Sequence, residues 1–407
     1  MPIMSGDPRL DRRDFLRATA VAAVASVAPL AAPALATPTQ PVIQRYVKLG
    51  RTGLSISDIS FGSSRTDDAD VVRHALERGI NYFDTAEDYR GGESESAIGE
   101  ALAGKRDKVL IATKTAMGAS DTREDMMRAL EGSLRRLRTD HVDVYFNHAV
   151  NDLARAQNPE WPEFNALAKK QGKIRWSGIS GHGGRLAECL GYTLEHDLCD
   201  VWLVAHNFGQ DPAFYEKLVR GFDFVALQPD LPALMKRARD KGVGVIAMKT
   251  LMGGRLNDLR EWEHGGATYA QAAFRWVLAS GHADALVVSM NSRETIDEYV
   301  VASGQARNRA SDLRLLERYA ELNGRTHCQH GCRACESSCP AGVTVSEVLR
   351  TRMYDVDYGD LRLARDEYRS VERNAAACLS CADTPCLGAC PIGIPIPSFT
   401  RDAARLA

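Results

Sequence analysis

The chain has 407 residues, too many for one ordinary domain, and a formal net charge of -2 from 51 basic and 53 acidic residues. This balance, with no basic stripe interleaved with aromatic residues, excludes nucleic acid as the main partner. Hydrophobic residues make up 44% of the chain, which is enough for a sizeable core.

Residues 1–36 predict an export signal that is not part of the fold. Asp11–Arg17 carries the twin-arginine pattern, an apolar stretch covers Ala18–Leu30, and Ala34–Ala36 supplies an A-x-A cleavage site. An uncleaved membrane anchor is the alternative. Pro29 and the cleavage site count against it, so we expect no stable membrane span. The signal predicts recognition by the twin-arginine export machinery and a periplasmic location.

Residues 45–305 alternate short β-branched runs with helical stretches. The predicted strands are Ile56–Phe61, Ile80–Phe83, Val109–Thr113, Val142–Phe146, Ile174–Ile179, Val201–Ala205, Val243–Met248 and Ala285–Ser289. Eight strands alternating with helices predict an α/β fold of the (β/α)8 TIM-barrel type. A doubly wound sheet is the rival, but the G-x-G-x-x-G motif typical of that fold does not follow the first strand.

The barrel is followed by a predicted linker helix within residues 306–326 and a Cys-rich region, residues 327–407. Ser346–Arg352 and Leu361–Val371 have helical patterns. We therefore expect a small, mainly α-helical, ferredoxin-like domain at this end of the chain.

Eight of the ten cysteines lie in this region, in two quartets that each end in Cys-Pro. The quartets comprise Cys328, Cys332, Cys335 and Cys339, then Cys378, Cys381, Cys386 and Cys390. Four thiolates hold one Fe–S cluster, and runs ending in Cys-Pro are typical of two-cluster ferredoxins. The quartets predict two [4Fe–4S] clusters and one-electron chemistry.

The spacing leaves two alternatives open. Each quartet has one or two extra residues before its third cysteine, and C-x2-C pairs also suit zinc. Disulfides are the other alternative, because the chain carries an export signal. Zinc gives no reason for the repeated Cys-Pro endings. Cys189 and Cys199 stand alone and are predicted to be buried packing residues.

Four polar residues lie where predicted barrel strands end. Asp84 ends the second strand, Tyr89 follows in its loop, Lys114 ends the third strand and His148 ends the fourth. Active sites of such barrels lie at the C-terminal ends of the strands. We therefore expect these four side chains on one rim.

The residue types suit carbonyl reduction. Hydride addition to a carbonyl creates an alkoxide, which needs a proton as it forms, and Tyr89 could donate it. Lys114 is expected to lower the pKa of the phenol, while Asp84 keeps the lysine charged and fixed. His148 would donate a hydrogen bond to the substrate oxygen and orient it.

The sequence resembles the aldo-keto reductase family. The resemblance rests on FDTAEDY, GESESAIGEAL, ATK and the histidine after strand four, and it covers roughly residues 47–302. It implies NAD(P)H as cofactor, a small carbonyl or alcohol as substrate, and Asp84, Tyr89, Lys114 and His148 as a catalytic tetrad. More narrowly, the chain resembles the branch with a C-terminal ferredoxin-like domain.

The cofactor pocket departs from the family pattern. Gly181 stands where the family has an Asn after Ser180, and Leu203 stands where it has a Gln. Met248 replaces a stacking tyrosine, and the cations after strand eight that grip the NADP phosphate are missing. The expected cofactor-binding residues are Ser180, Asn207, Met248, Lys249 and Ser289.

Two functional hypotheses follow. The first is a nicotinamide-dependent oxidoreductase, in which the clusters either pass electrons to an electron-transfer protein or serve a structural role. The second is an exported Fe–S electron carrier whose barrel has lost its cofactor site. The single histidines His182, His206 and His327 have no partner at ligand spacing and are interpreted as structural.

Overall fold

The computed structural model describes residues 40–183, 185–210, 230–251, 259–263, 266–323, 328, 333–356, 360–391 and 393–407. Pro41–Ala407 form one compact unit. The predicted export signal, His327 and Cys332 lie outside the described residues.

Parallel strands close into a barrel. The strands of the described residues are β1 (Tyr46–Lys48), β2 (Ser55–Ser57), β3 (Ile59–Gly62), β4 (Tyr82–Asp84), β5 (Leu110–Thr115), β6 (Val142–Asn147), β7 (Ile174–Gly181), β8 (Val201–Ala205), β9 (Gly244–Met248) and β10 (Ala285–Ser289). β3 to β10 pair in sequence order, and β10 pairs with β3 to complete an eight-stranded ring. The predicted (β/α)8 barrel is confirmed.

The first predicted strand, Ile56–Phe61, is two strands in the structure. Ser55–Ser57 pairs antiparallel with Tyr46–Lys48, and only Ile59–Gly62 enters the barrel. Asp58 separates them, because its carboxylate accepts hydrogen bonds from Ser303 Oγ at 2.6 Å and from the Gly304 N–H at 2.7 Å. The hairpin places Leu49, Leu54 and Ile56 in the core that fills the barrel interior.

Helices surround the barrel. They are α1 (Ala69–Glu77), α2 (Glu93–Ala101), α3 (Arg123–Leu137), α4 (Leu153–Ala156), α5 (Glu160–Lys170), α6 (Leu186–Glu195), α7 (Leu231–Asp240), α8 (Tyr269–Ala279), α9 (Arg293–Val300) and α10 (Ala310–Asn323). α3 begins with a capping box between Thr122 and Asp125, which satisfies N–H groups that the first helical turn leaves unpaired. Their apolar faces bury one continuous core against the outside of the sheet.

Residues 328–407, called the Cys-rich segment below, have a separate hydrophobic core. Its helices are α11 (Val345–Val356), α12 (Leu361–Arg369), α13 (Cys386–Ala389) and α14 (Ile396–Ala403). α11 packs against both α12 and α14. This part of the chain is mainly helical, as the sequence predicts.

The Cys-rich segment contains an internal repeat. Each quartet ends in Cys-Pro-x-Gly. Two apolar residues follow with one residue between them, and a helix begins at the second of these, Val345 in one copy and Ile396 in the other. Gly342 and Gly393 have φ values of 62° and 69°, a backbone conformation that favours glycine. Two copies of one turn therefore lead into α11 and α14.

In the part of the chain that the structure describes, no helix is both long and apolar enough to cross a membrane.

Candidate active site

The barrel brings the four rim residues together. Asp84 is the last residue of β4, Lys114 lies near the end of β5, and His148 follows β6 directly. Tyr89 begins a short 3-10 helix in the loop after β4. Asp84, Lys114 and His148 are all buried, and neighbouring parallel strands bring their C-terminal ends to one rim.

Lys114 is the centre of the contacts. Its Nζ donates to Asp84 Oδ1 and to the Thr85 carbonyl oxygen, each at 2.6 Å, and lies 3.3 Å from Tyr89 Oη. The same Nζ is 4.6 Å from the centre of the Tyr89 ring. The carboxylate thus fixes the ammonium against the phenol, as the residue types predict.

His148 packs against the phenol ring. Its ring and the Tyr89 ring meet edge to face with centroids 5.5 Å apart. Its backbone N–H donates to the Thr115 carbonyl oxygen at 2.9 Å, which fixes the residue to the end of β5. The four side chains therefore converge in one place.

The charge states follow mainly from burial. Burial, assisted by the positive charge of Lys114, lowers the pKa of His148 to about 3, so this imidazole is neutral at ordinary pH. Burial also raises the pKa of Tyr89 well above its usual value, with Asp84 and Asp88 adding to the shift. The phenol pKa is therefore raised on balance and not lowered as expected, because loss of water and nearby carboxylates outweigh the ammonium of Lys114.

A cleft opens beside the tetrad. Asp84 and Tyr89 form part of its wall, and the ends of β8, β9 and β10 contribute Leu203, Met248 and Ser289. The neighbouring Lys249 also lines it. The sequence-predicted residues Met248, Lys249 and Ser289 thus share one cleft with two members of the tetrad.

Ser180 and Asn207 are placed differently and do not line this cleft. Ser180 Oγ accepts from the Ala149 N–H at 3.0 Å and so holds the loop after β6. Asn207 donates to the Lys249 carbonyl oxygen at 3.1 Å and accepts from the Gly209 N–H at 3.0 Å. Both polar side chains stabilise loops of the rim.

Gly181 has a steric reason to lack a side chain. A Cβ there would lie 2.5 Å from Leu186 Cδ1 and 2.9 Å from the Val150 carbonyl oxygen. The family's asparagine therefore does not fit unless the Leu186 side chain and the backbone of the loop after β6 shift.

Among the described residues that line the cleft are the cations Arg65 and Lys249. Arg65 Nε lies 3.9 Å from Asp360 Oδ2 in the Cys-rich segment. Lys249 has a left-handed backbone, with φ 56°, and its Nζ hydrogen-bonds Tyr354 Oη of the same segment. Both cations thus contact the part of the chain that carries the cysteine quartets.

The nine cysteines that the structure describes, including Cys189 and Cys199, form no disulfide bond. Cys189 and Cys199 are buried in the barrel's outer core, as predicted. Among the described residues, which omit Cys332, no group of three or more His, Cys, Asp or Glu side chains is placed to hold a metal ion.

One cysteine of the first quartet lies near the second quartet. The pKa of Cys386 is raised by burial and then by the nearby thiols of Cys378, Cys339 and Cys381. Cys339 belongs to the first quartet and the other three to the second. In two-cluster ferredoxins the fourth cysteine of one run ligates the other cluster. Here the thiols of Cys339, Cys378 and Cys381 influence Cys386, but these described thiols are not grouped to hold a metal ion.

The repeated turns direct backbone donors at sulfur. The Val343 N–H donates to Cys339 Sγ at 3.4 Å, and the Ile394 N–H donates to Cys390 Sγ at 3.3 Å. Such donors stabilise a thiolate, the form that binds metal. The donor chemistry of the segment therefore suits Fe–S clusters.

Sequence reasoning missed the contribution of the Cys-rich segment to the cleft. Tyr354 on α11, with Leu363 and Glu367 on α12, completes the wall opposite the barrel. The helical pattern predicts α12, but nothing in it indicates which face meets the barrel.

The fold and the tetrad define a barrel of the aldo/keto reductase type. The sequence profile of the Aldo/keto reductase family matches residues 53–264. An uncharacterised oxidoreductase of Bacillus subtilis, YrpG, is 32% identical over 254 residues, which cover 56% of this chain and 73% of the relative. The chain belongs to the aldo/keto reductase family.

Other relatives agree on the fold. The L-galactose dehydrogenase of Arabidopsis thaliana is 27% identical over 309 residues, 66% of this chain and 91% of that protein. An aldo/keto reductase from Klebsiella pneumoniae, solved with NADP and acetate, superposes with a TM-score of 0.51 at 24% identity, over 68% of this chain and 95% of the other. An aldo-keto reductase from Bacillus halodurans gives a TM-score of 0.53 at 21% identity, over 67% and 95%.

Proposed function

We propose that the protein transfers hydride between NAD(P)H and a small carbonyl or alcohol substrate, with Tyr89 as the general acid. The convergence of Asp84, Tyr89, Lys114 and His148 is the observation that carries this proposal. Membership of the aldo/keto reductase family supports it.

The tetrad has a distinct task for each residue. When bound, the nicotinamide supplies the hydride. Tyr89 holds its proton because its pKa is raised, and it donates that proton from Oη to the oxygen of the substrate. Lys114, fixed by Asp84, stabilises the phenolate that remains. Neutral His148 donates a hydrogen bond that orients the same oxygen.

The cleft is the proposed nicotinamide site. Met248 supplies an apolar, polarisable surface for a ring, while Lys249 and Arg65 supply charge for phosphates. The Klebsiella neighbour solved with NADP supports a nicotinamide cofactor in this barrel.

The cysteine quartets are proposed to hold two [4Fe–4S] clusters. Cys339, Cys378, Cys381 and Cys386 would hold one, and Cys328, Cys332, Cys335 and Cys390 the other. Such clusters supply one-electron transfer, which would link the protein to an electron-transfer partner. A structural role for the clusters is the alternative, and electron paramagnetic resonance during turnover separates the two roles. Clusters that stay in one redox state throughout turnover contradict the relay.

Export to the periplasm by the twin-arginine pathway is part of the same proposal. That pathway carries folded proteins, so clusters and nicotinamide would be loaded before export. Purification of the mature protein without oxygen, followed by iron, sulfide and nucleotide determination, tests whether the exported protein carries its cofactors. Absence of iron, sulfide and nucleotide contradicts loading before export.

An exported Fe–S electron carrier is the second candidate. The tight packing at Gly181 favours it, because that position has no room for the side chain that holds the carboxamide in relatives. Bound nicotinamide in the purified protein favours the enzyme, and negligible affinity for NADH and NADPH favours the carrier.

Replacement of Tyr89 tests the mechanism. Tyr89→Phe removes the proton donor, and we expect turnover of any accepted carbonyl to fall by about 10²–10⁴-fold. Tyr192→Phe, on the outer helix α6, is the matched control and retains the wild-type rate. A Tyr89→Phe rate within about twofold of wild type refutes the assigned role of the phenol.

A further inference from the structure

The Cys-rich segment forms part of the cleft that contains the tetrad. Tyr354 on α11 and Glu367 on α12 line it together with Asp84 and Tyr89. A molecule that reaches the Tyr89 hydroxyl therefore has two helices of this segment as one wall of its binding site.

Glu367 lies between two cavities and lines both of them. It lines the cleft that contains Tyr89, and it also lines a second cavity that contains His148. These are the proposed proton donor and the proposed orienting group for the same substrate oxygen. The Glu367 carboxylate therefore lies beside the place where the reacting carbonyl is held.

The carboxylate is ionised. Burial alone would raise its pKa, but the positive charges of Arg350 and Lys249 outweigh burial and lower the pKa of Glu367 to about 2. Arg350 donates to Glu367 Oε2 at 2.7 Å. Arg350 is itself held by Glu347 at 3.0 Å and by Tyr354 Oη at 3.1 Å. A fixed negative charge thus faces the cleft.

One oxygen of this carboxylate remains available. Arg350 uses Oε2, and within the described residues no protein donor contacts Oε1. This oxygen is open to a hydrogen-bond donor from water or from a bound molecule.

Arg350, Lys114 and Lys249 do not form an equal anion site beside Glu367. Arg350 is shared between two carboxylates, Glu347 and Glu367. Lys114 is paired with Asp84. Lys249 hydrogen-bonds Tyr354 and lines the side of the cleft formed by β9 and β10. Among these charged groups beside Tyr89 and His148, the one with an unused hydrogen-bonding atom is therefore the Glu367 carboxylate.

We propose that Glu367 contacts the substrate and selects carbonyl compounds that carry a hydroxyl group next to the carbonyl, while it rejects carboxylates at that position. This inference rests on the proposed reductase activity and assigns its substrate class. The hydroxyl donates to the unused oxygen, whereas a carboxylate there would meet a like charge.

Three methyl ketones that differ in one substituent test the selection in the wild-type holoprotein. Hydroxyacetone carries the hydroxyl, acetone has neither group, and pyruvate carries the carboxylate. With NADH or NADPH we expect kcat/KM to be at least about tenfold higher for hydroxyacetone than for acetone, the size of one charged hydrogen bond. Pyruvate is expected to be the poorest of the three.

Two variants separate selection from folding. Glu367→Gln keeps the size of the side chain and removes its charge. We expect the ratio of kcat/KM for hydroxyacetone to kcat/KM for pyruvate to fall at least tenfold, mainly through changes in KM. Asp402→Asn is the matched control. It removes one carboxylate of the same segment, whose partners Arg352 and Arg405 lie away from the cleft, and it keeps the preference. Thermal unfolding and the iron content of each variant show whether it is folded.

The outcomes are distinguishable. If the wild type reduces no ketone or aldehyde with either nucleotide, the proposed function fails. If the wild type reduces carbonyls but prefers pyruvate, or if folded Glu367→Gln keeps the wild-type preference, only the role of Glu367 is overturned.

Discussion

Lys249 of the barrel hydrogen-bonds Tyr354 of the Cys-rich segment inside the cleft. Its Nζ lies 4.7 Å from the centre of the Tyr354 ring, and Arg350 donates to the same hydroxyl at 3.1 Å. Lys249 reaches this position with a left-handed backbone at φ 56°, which costs a non-glycine residue about 1–3 kcal/mol. The hydrogen bond from Asn207 to its carbonyl oxygen helps to hold that conformation.

The first prediction concerns Lys249 and the cofactor. Lys249→Met removes a cation that lines the cleft, so we expect the Kd for NADPH to rise about tenfold or more, as for the loss of one charged hydrogen bond. Fluorescence titration measures it. Lys236→Met is the control, because Lys236 is exposed and pairs with Asp240 outside the cleft. An unchanged Kd would show that this ammonium does not bind the nucleotide.

The buried pair of Lys114 and Asp84 gives the second prediction. Lys114→Met leaves a carboxylate buried without its cation, which costs about 3–5 kcal/mol of unfolding free energy. The double variant Lys114→Met with Asp84→Asn removes both charges and recovers a substantial part of the loss. Denaturant unfolding measures both. Equal stability of Lys114→Met and wild type contradicts this prediction.

His148 supplies the third prediction, on hydrogen bonding. Burial and Lys114 lower its pKa to about 3, so it acts as a neutral donor and not as an imidazolium. His148→Gln keeps an N–H donor, and we expect it to retain at least tenfold more kcat than His148→Leu. If the two variants are equally slow, a neutral donor at this position does not suffice for the reaction.

Acid stability supplies the fourth prediction, through His206. Burial, with a contribution from His282, lowers its pKa from 6.5 to about 3 in the folded chain. The unfolded chain then binds more protons between these values, so stability is lost as the pH falls below about 6.5. His206→Phe removes this loss, and we expect its stability relative to wild type to improve by about 2 kcal/mol from pH 7 to pH 5. The exposed His196→Gln leaves the pH dependence unchanged, and parallel curves for His206→Phe and wild type refute the linkage.

Cluster ligation gives the fifth prediction. If the quartets exchange their last cysteines, Cys339→Ala damages the cluster of Cys378, Cys381 and Cys386, and iron falls from about eight to about four atoms per chain. Iron and sulfide analysis under anaerobic conditions measures this. Cys189→Ala, in the barrel core, keeps the full iron content. Full iron content in Cys339→Ala excludes this ligand.

The sequence predicts the barrel well because its signals are local. Val201–Ala205 and Ala285–Ser289 are strands with the predicted bounds. Arg123–Leu137 is a helix that begins with a capping box formed by residues three positions apart, Thr122 and Asp125. The first strand was predicted wrongly, because only long-range contacts from Ser303 and Gly304 show that the chain breaks at Asp58.

The candidate site is predicted in part. Strand ends of a barrel share a rim, so the tetrad follows from the sequence. The positions of Ser180 and Asn207 do not, because their hydrogen bonds depend on loop geometry. Glu367 gives no local signal either, since its role depends on how α12 packs against the barrel.

Product stoichiometry tests the central claim most directly. The mature wild-type protein, purified without oxygen, is mixed with NADH or NADPH and a carbonyl panel that includes hydroxyacetone, and the alcohol formed is compared with nucleotide oxidised. The tetrad geometry predicts one alcohol for each nucleotide oxidised. Nucleotide oxidation without alcohol, or no oxidation with any carbonyl, would contradict the reductase assignment.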